Sequence, residues 1–595
     1  MRAFSMQSPS AGSTIPPIAN PQQDQAVAQP AFMSFSSQAF AQAHIRHVPV
    51  FLLIGERTAE WNDPALLTQL LERTVPIQLA PGARPDVELL CQRSGLLFSG
   101  EGTLPLCALL LDDARPFLAA PLPPCGFPLD PSRLFVWLSQ ADRRFTQNHA
   151  AFVSQAAQVL RSFSAPSLRR PFAPGDAAHH LMRALLAKED TVNGGFGKIK
   201  SPHVCALRFL QRTGIRGDSS AHAALSRALD AMASSALHDP LDGMYFRATL
   251  TEDWQIFVPE KPLSVNAMLA LILLDSGRRT DAIHLLDSII AAFPLEGGGL
   301  SPYLLATRDA FAFSPEQVCA ALGSEDGLHA CRLLNLLRQH ARPEPDVLPS
   351  RFSPVPSNQT NRSLDRPVPA LCPRLAKSLT PEDSAFLRRI LPILQRTRSA
   401  RLPQRPASNI ITEHCALAAA ILAQCGKRLG EPRYTQAAQR AVTFLFSQAP
   451  AANHPASLPA SFYPVSPLQA QPTCGASAAL ALALLTLGSR ENMDEYAQSG
   501  LRLLGSALHA FVRRDGMVMH TRDDPADFFV RVPAIYDSEL PSPAALLIHA
   551  LRLAHDMRPQ AHYDDAIETI WQAAAPAAYS QPLSCISLID AASCS

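Results

Sequence analysis

The sequence has no CxxC pair and no cysteine–histidine cluster at zinc spacing among its 12 cysteines, which argues against a vicinal dithiol and a zinc site. It has no excess of either charge. Its 52 Lys and Arg stand against 51 Asp and Glu, removing any case for broad nucleic-acid or membrane electrostatics. Long apolar runs are missing as well; the longest are short and Ala-rich, so no membrane span is expected. The opening stretch MRAFSMQSPSAGSTIPPIANPQQDQ lacks an apolar core of signal-peptide length and reads as a disordered tail. Several cysteines (Cys205, Cys331, Cys415, Cys425) lie in apolar helical runs, where cysteine is usually a small buried hydrophobe. A reduced, cytoplasmic protein without metal or cofactor is expected.

Against these absences stand 595 residues, 47% of them apolar, enough for two or three packed domains. Proline is abundant: 53 residues, roughly 9% of the chain against a usual value of about 5%. Long connections and many capped helix starts follow.

After a tail over residues 1–35, Val48–Ile54 is a buried strand candidate, 63–73 is helical, and Val75–Leu79 is a second strand. Leu89 opens another helix, and Thr103–Leu111 is a third strand with Pro105 near its start. That order is a small α/β domain over 36–165. From about 175 onward strand signals mostly vanish. Four joints recur there: a buried apolar helix, a short basic turn, then an amphipathic helix. They run through Ala267–Leu274 and 282–292, Ala416–Ala423 and Tyr434–Leu445, Ala476–Leu487 and Tyr496–Leu508, and Ala544–Leu553 and Tyr563–Ala574. Their turns are Gly277-Arg278-Arg279, Gly426-Lys427-Arg428, Gly488-Ser489-Arg490 and Asp556-Met557-Arg558, whose basic residues suit helix ends. Repeated inner/outer hairpins signal a closed α/α toroid or a solenoid, and Ala-rich inner helices favour the toroid. It is expected over 175–575, with a Pro-, Ser- and Arg-rich excursion at 341–375 and a C-terminal tail at 576–595.

The stretch 238–277 is the candidate site. Ala267–Leu274 is apolar on every side and must be buried on every side, so polar residues just before it are expected at the mouth of whatever the domain encloses. Glu260 is the leading acid candidate, a carboxylate before a buried helix; the plain alternative is a first-turn residue complementing the helix dipole. Asp242 is a second acid candidate, although Asp-Gly is first a turn signal. Arg247, between aromatics, is placed either to clamp a ligand or to stack on Tyr245. Trp254 is a sugar-stacking platform or a core anchor. Asp537, beside Tyr536 and ahead of another inner helix, is a third acid or a cap. His414 and Cys415 adjoin on one helix and cannot face each other as a nucleophilic pair.

Several short stretches carry a resemblance: Arg84-Pro85-Asp86, Gly194-Gly195-Phe196-Gly197, Trp254 with Glu260-Lys261 and Asn266-Ala267, Tyr536-Asp537, and Pro541-Ser542. On these the chain, over roughly 35–575, resembles the thioredoxin-domain-containing proteins related to spermatogenesis-associated protein 20. The resemblance implies a thioredoxin-like domain over 36–165 followed by an (α/α)6 toroid of the six-hairpin glycosidase and N-acylglucosamine 2-epimerase type. It also implies that Lys261, Asn266, Tyr245 and Tyr536 join Arg247 and Trp254 as ligand-binding positions, and that Pro105 is the structural cis-proline.

The departures are informative. Where the family carries Cys-His-Trp-Cys, this chain has Arg57-Thr58-Ala59-Glu60-Trp61-Asn62. Either Ala59 and Asn62 replace the cysteines or the segment is shortened; both leave no dithiol, so thiol–disulfide exchange is not expected. The family's His-Arg ahead of the Trp is Phe246-Arg247, its Tyr-Asp-Asn is Ser264-Val265-Asn266, and its Trp-Asn falls on His414-Cys415. Two functions remain. One is a redox-inactive pseudoenzyme scaffold binding a protein or a sugar-like small molecule. The other is a carbohydrate-active enzyme using Glu260 with Asp242 or Asp537. A thiol oxidoreductase using Cys91, Cys107 and Cys125 is the poorest reading. Neither nucleic acid nor membrane is an expected partner.

Overall fold

The computed structural model describes residues 32–55, 59–124, 127, 129–163, 173–337, 373–375, 379–401, 404–407, 409–448, 458–462, 471–489, 494–524, 527 and 529–594. Its first sheet is built around β1 (Val50–Ile54), a five-residue run buried along its whole length. Alternation explains why all five positions are apolar. Val50, Leu52 and Ile54 face a core shared with α1 (Ser37–Arg46) and α3 (Pro85–Ser99). Phe51 and Leu53 face the opposite core, with α2 (Pro64–Arg73) and α4 (Pro131–Gln147). β2 (Val75–Leu79) pairs parallel to β1, the crossover being α2. β3 (Leu106–Leu110) and β4 (Pro116–Pro121) complete the order β2-β1-β3-β4, and α5 (His149–Arg161) packs on β4. This is a thioredoxin-like arrangement.

The helical remainder closes into a ring. Its inner helices are α7 (Val204–Ile215), α9 (Leu263–Asp275), α15 (Thr412–Leu429), α17 (Cys474–Gly488), α19 (Pro543–Met557) and α21 (Ile586–Ser593). Each packs on the next, and α21 returns to α7. The outer layer is α8 (Ser219–Ala233), α10 (Arg279–Ala292), α16 (Pro432–Ser447), α18 (Asp494–Phe511), α20 (Ala561–Ser580) and α6 (Pro174–Leu186). Sequence separates the two layers. In α9 every residue from Leu263 to Leu273 is buried, whereas α10 buries one stripe, Ala282, Leu285, Leu286 and Ile289. An (α/α)6 toroid results.

One backbone hydrogen bond closes five of the six hairpins at the end where the inner helices begin. The N–H of Thr249 donates to Lys200 O (2.7 Å), Leu263 to Pro302 (2.9 Å), Thr412 to Ala460 (2.9 Å), Cys474 to His520 (2.9 Å) and Asp537 to Ser584 (2.8 Å). The sixth hairpin is split between the two ends of the array: α6 is its outer helix and α21 its inner one. Arg212 of α7 holds α21 through Asp590 at 2.8 Å. Residues 576–595, read from sequence as a tail, therefore contain the end of α20 and the helix that completes the ring. Eight residues of mixed composition carry too little periodicity to announce that role.

Two further differences are local. Gly426-Lys427-Arg428 lies inside α15, and the left-handed residue that ends the helix is Gly430 (φ 71°). Short strands β5 (Glu260–Pro262), β6 (Tyr303–Leu305) and β7 (Arg405–Pro406) form a sheet at the ring mouth. Between β6 and β7 the chain makes an insertion whose described part is α11 (Arg308–Phe311), α12 (Pro315–Leu322), α13 (Ser324–Leu333) and α14 (Pro381–Arg401). Of the excursion expected at 341–375, only 373–375 fall within the described residues. Among the described residues no helix is long and apolar enough to cross a membrane.

Candidate functional site

Five hairpins stitched in the same way bring the beginnings of the inner helices to one end of the ring. The positive ends of their dipoles gather there. Across that end lies the thioredoxin-like domain. Phe529 and Val532, from the toroid, insert into its core, and Arg84 pairs with Asp527 at 3.1 Å. Gly82 sits so close to Ile411 that a Cβ added there would lie 2.6 Å from its Cδ1.

The expected acids do not converge. Glu260 and Lys261 are neighbours on β5, and adjacent strand residues point to opposite faces. On one face Glu260 accepts from Arg247 Nε at 3.0 Å, while a second nitrogen of the same guanidinium reaches the same oxygen and a third meets Glu539. Arg247 lies 4.9 Å above the Tyr303 ring. Burial pulls its pKa down, but Glu260 and Tyr303 more than offset that, and the net shift is upward. Glu260 is thus neither a free acid nor a first-turn dipole partner.

On the other face Lys261, fully buried, donates to Asp239 and Asp242, both at 2.6 Å. Arg398 of α14 reaches the same two carboxylates at 2.7 and 3.0 Å, and Gln404 adds a bond to Asp242 at 3.2 Å. Burial pushes the Asp239 pKa up, yet Arg398 and Lys261 bring it well below the usual carboxylate range. Two anions and two cations cancel. Asp242 and Lys261 form a lock that ties the insertion to the toroid.

Asp537 is buried at the start of α19, where it accepts from Ser542 N–H (3.1 Å), Ser587 N–H (2.8 Å) and the Ser587 hydroxyl. It joins the beginnings of α19 and α21, as a cap would. Burial raises its pKa to about 6, against the pull of those donors.

The expected ligand-binding residues are similarly engaged. Asn266, fully buried, accepts from Tyr245 N–H (2.7 Å) and donates to the carbonyls of Tyr245 (2.9 Å) and Pro262 (2.8 Å). Tyr245 is buried, its ring 4.8 Å from that of His238 and away from Arg247's stacking partner. Trp254 donates Nε1–H to Asn193 O at 2.9 Å and packs on Gly195, where a Cβ would come within 2.8 Å of its ring. Tyr536 is buried edge-on to Phe163, with Arg93 5.2 Å from its ring.

What does face the mouth is a different set. Arg247, Glu260, Tyr303, Glu413 and His414 are each only partly buried there. Glu413, in the first turn of α15, lies against α17: a Cβ on Gly475 would come 2.0 Å from its Oε2. Burial alone raises its pKa to about 7. Beside it, His414 Nδ1 is 3.4 Å from Ser264 Oγ, and burial, then Arg247, lower its pKa to about 3. From the thioredoxin-like domain comes Glu88, accepting from Gly82 N–H at 2.6 Å. Burial raises its pKa to about 8, and Glu413 adds to the shift. Glu88 and Glu413 are 325 positions apart, and only the folded chain brings them together.

In the thioredoxin-like domain, 56–58 lie outside the described residues. Trp61 is buried 6.0 Å from Phe51, Asn62 is exposed, and Asp63 caps α2 by accepting from Leu66 N–H at 2.8 Å. The Leu104–Pro105 peptide is cis. Cys91 and Cys107 are free, and burial drives both thiols well above their usual pKa; Cys125 lies outside the described residues. Among the described residues no group of three or more His, Cys, Asp or Glu is placed to hold a metal ion.

Residues 21–164 match the family Thioredox_DsbH, described as "Protein of unknown function, DUF255", which is thioredoxin-like. A curated relative, uncharacterized protein B0495.5 of Caenorhabditis elegans, is 24% identical over 275 residues. The match covers 42% of this chain and 36% of the relative, so the chain spans little more than a third of that protein's length. Among solved structures, a D-mannose isomerase aligns with TM-score 0.42 and 10% identity over 67% of this chain and 85% of its own. A cellobiose 2-epimerase from Spirochaeta thermophila aligns with TM-score 0.41 and 15% identity over 67% and 83%. A GH76 alpha-mannanase from Bacteroides thetaiotaomicron aligns with TM-score 0.40 and 10% identity, again over 67% and 83%. The toroid itself rests on the closed ring of helix pairs described above.

Proposed function

We propose that this chain, a thioredoxin-like domain joined to an (α/α)6 toroid, is a redox-inactive scaffold that binds a small polar molecule at the toroid mouth. One observation carries the reading. Each acid singled out for chemistry is already engaged: Glu260 by Arg247, Asp242 by Lys261 and Arg398, Asp537 by Ser542 and Ser587. A general acid or base must exchange its proton with a substrate, and carboxylates held this way are poorly placed to do so. Arg247, held over the Tyr303 ring by Glu260 and Glu539, orders the wall of that mouth, and Glu413 and His414 beside it are the groups left to meet the ligand.

The test pairs binding with turnover. Hexoses and disaccharides are titrated by calorimetry, and the same compounds are assayed for isomerisation, epimerisation and hydrolysis. Saturable binding, weakened about tenfold or more in R247K and without turnover, is the expected result. Turnover that disappears in E260Q would overturn the scaffold reading.

A second reading has its own support. Glu413 is a deep carboxyl held at about 7 by burial, within the range used by general acids, and His414 adjoins it. A carbohydrate-active enzyme built on this chain would use Glu413. Turnover lost in E413Q but retained in E260Q would favour it.

A further inference from the structure

Arg247 at the toroid mouth carries two carboxylates of unequal standing. Glu260 fixes it: the Arg247 N–H donates to Glu260 O at 2.8 Å, Nε donates to the Glu260 carboxylate at 3.0 Å, and Nη2 reaches the same oxygen. The guanidinium lies 4.9 Å over Tyr303, whose strand β6 pairs with β5, Tyr303 standing opposite Pro262. These contacts place Arg247 without help from Glu539. Glu539 comes from elsewhere in the ring. It lies on the loop leading into α19, whereas Arg247 lies on the loop leading into α9, and α7 and α21 stand between those helices. Its carboxylate meets Nη1 of Arg247, and its side chain is 38% exposed where that of Glu260 is 13% exposed. The residues flanking it are fixed. Asp537 accepts from Ser542 and Ser587, Leu540 is buried, and Ser538 N–H donates to Leu540 O at 3.2 Å across a tight turn. The Glu539 side chain stands at the tip of that turn, where exposed rotamers exchange without backbone movement.

We propose, resting on the binding reading above, that Glu539 is an internal stand-in for the carboxylate of the ligand, and that the ligand is a small hydroxylated carboxylate of the sugar-acid class. The charge count supports the exchange. Two carboxylates share one guanidinium, so one negative charge is surplus. The more exposed partner is the one readily released, because an ion pair open to water is worth little. A ligand carboxylate in its place keeps the charge count and brings further contacts. Those are at hand beyond Tyr303: the His414 ring lies edge-on to it at 5.8 Å, and His414 Nδ1 is 3.4 Å from Ser264 Oγ. His414 Nε2 makes no hydrogen bond among the described residues, so it can serve a ligand hydroxyl. Arg247, Tyr303 and His414 thus form one row, with a carboxylate seat at one end and a hydroxyl seat at the other. The exchange needs a side-chain rotation and no domain movement.

The experiment is calorimetric titration of the full chain, wild type and E539A, with matched sugars. D-glucose is paired with D-glucuronate and D-galactose with D-galacturonate, each pair differing by a carboxylate in place of a hydroxymethyl group. Removing the stand-in should tighten binding of the acids about twofold to fivefold, the factor an exposed ion pair carries, and leave the neutral sugars unchanged. Acetate, which brings the charge without the hydroxyls, should bind E539A more weakly than either acid. Acids that bind wild type and E539A equally overturn the role of Glu539. Neutral sugars that bind both proteins as tightly as the acids overturn the carboxylate seat and leave the binding reading standing. Acetate as tight as the acids overturns the hydroxyl seat. If none of these compounds binds either protein, the binding reading itself falls and the inference falls with it.

Discussion

Two clusters of buried charge lie on opposite faces of one three-residue strand, and they are built on different terms. Behind β5, Asp239 and Asp242 meet Lys261 and Arg398, charge for charge, in a site closed to solvent. In front of it, Glu260 and Glu539 share one guanidinium and keep part of their surface accessible. A neutralised, sealed cluster holds structure together. An under-compensated, accessible one has carboxyl capacity left for a proton or a ligand. The difference separates scaffold from site better than residue type does, since Glu260 and Lys261 are adjacent in the chain and belong to different clusters.

The largest test of that contrast is K261M, which leaves two buried carboxylates with one cation. It should cost about 3–5 kcal/mol, read from the denaturant midpoint; a loss under about 1 kcal/mol would mean the rear cluster is not a lock. Next is G475A, whose new methyl must displace the Glu413 carboxyl. It should cost about 2 kcal/mol, with most of the loss recovered in E413A/G475A; additive losses would place Glu413 elsewhere. The third is pH. Because Glu413 and Asp537 have raised pKa values, at about 7 and about 6, each favours folding below its unfolded value and loses that contribution as pH rises through the folded one. Stability should therefore fall between pH 5 and pH 8, by on the order of 1–2 kcal/mol after discounting for partial exposure, and E413Q should flatten the slope. The smallest effect is E260Q. Its pair with Arg247 keeps a small part of its surface accessible, and Glu539 still faces the guanidinium after the change, so the loss should be about 1 kcal/mol, several-fold less than for its neighbour K261M in the same unfolding assay.

Much of the fold was legible because burial on all sides writes itself into composition. The four hairpins read from sequence contain α9, α15, α17 and α19, whose inner stretches are apolar at all positions but two at most. α21 was not legible: its eight residues acquire meaning by packing against α7 and α19, helices far away in the chain. β4 escaped because prolines stand at both its ends. At the candidate site, sequence placed Arg247 and Glu260 near the mouth, as they are. It could not show that they pair with each other, since a separation of 13 along an irregular loop has no period to read. Glu88 and Glu413 left no signal at all, because what distinguishes them is burial that only the folded chain creates.

The split hairpin has a consequence for how the protein is made. Five hairpins can form as each leaves the ribosome, since their partners are neighbours in the chain. The sixth cannot, because α6 is synthesised more than 390 residues before its partner α21. Throughout that interval the flank of α7 that α21 will cover has no partner, and α19, once made, waits for the same helix. The nascent toroid is an incomplete ring until α21 has been made, and its exposure to chaperones and to misassembly is set by how quickly that helix follows the others.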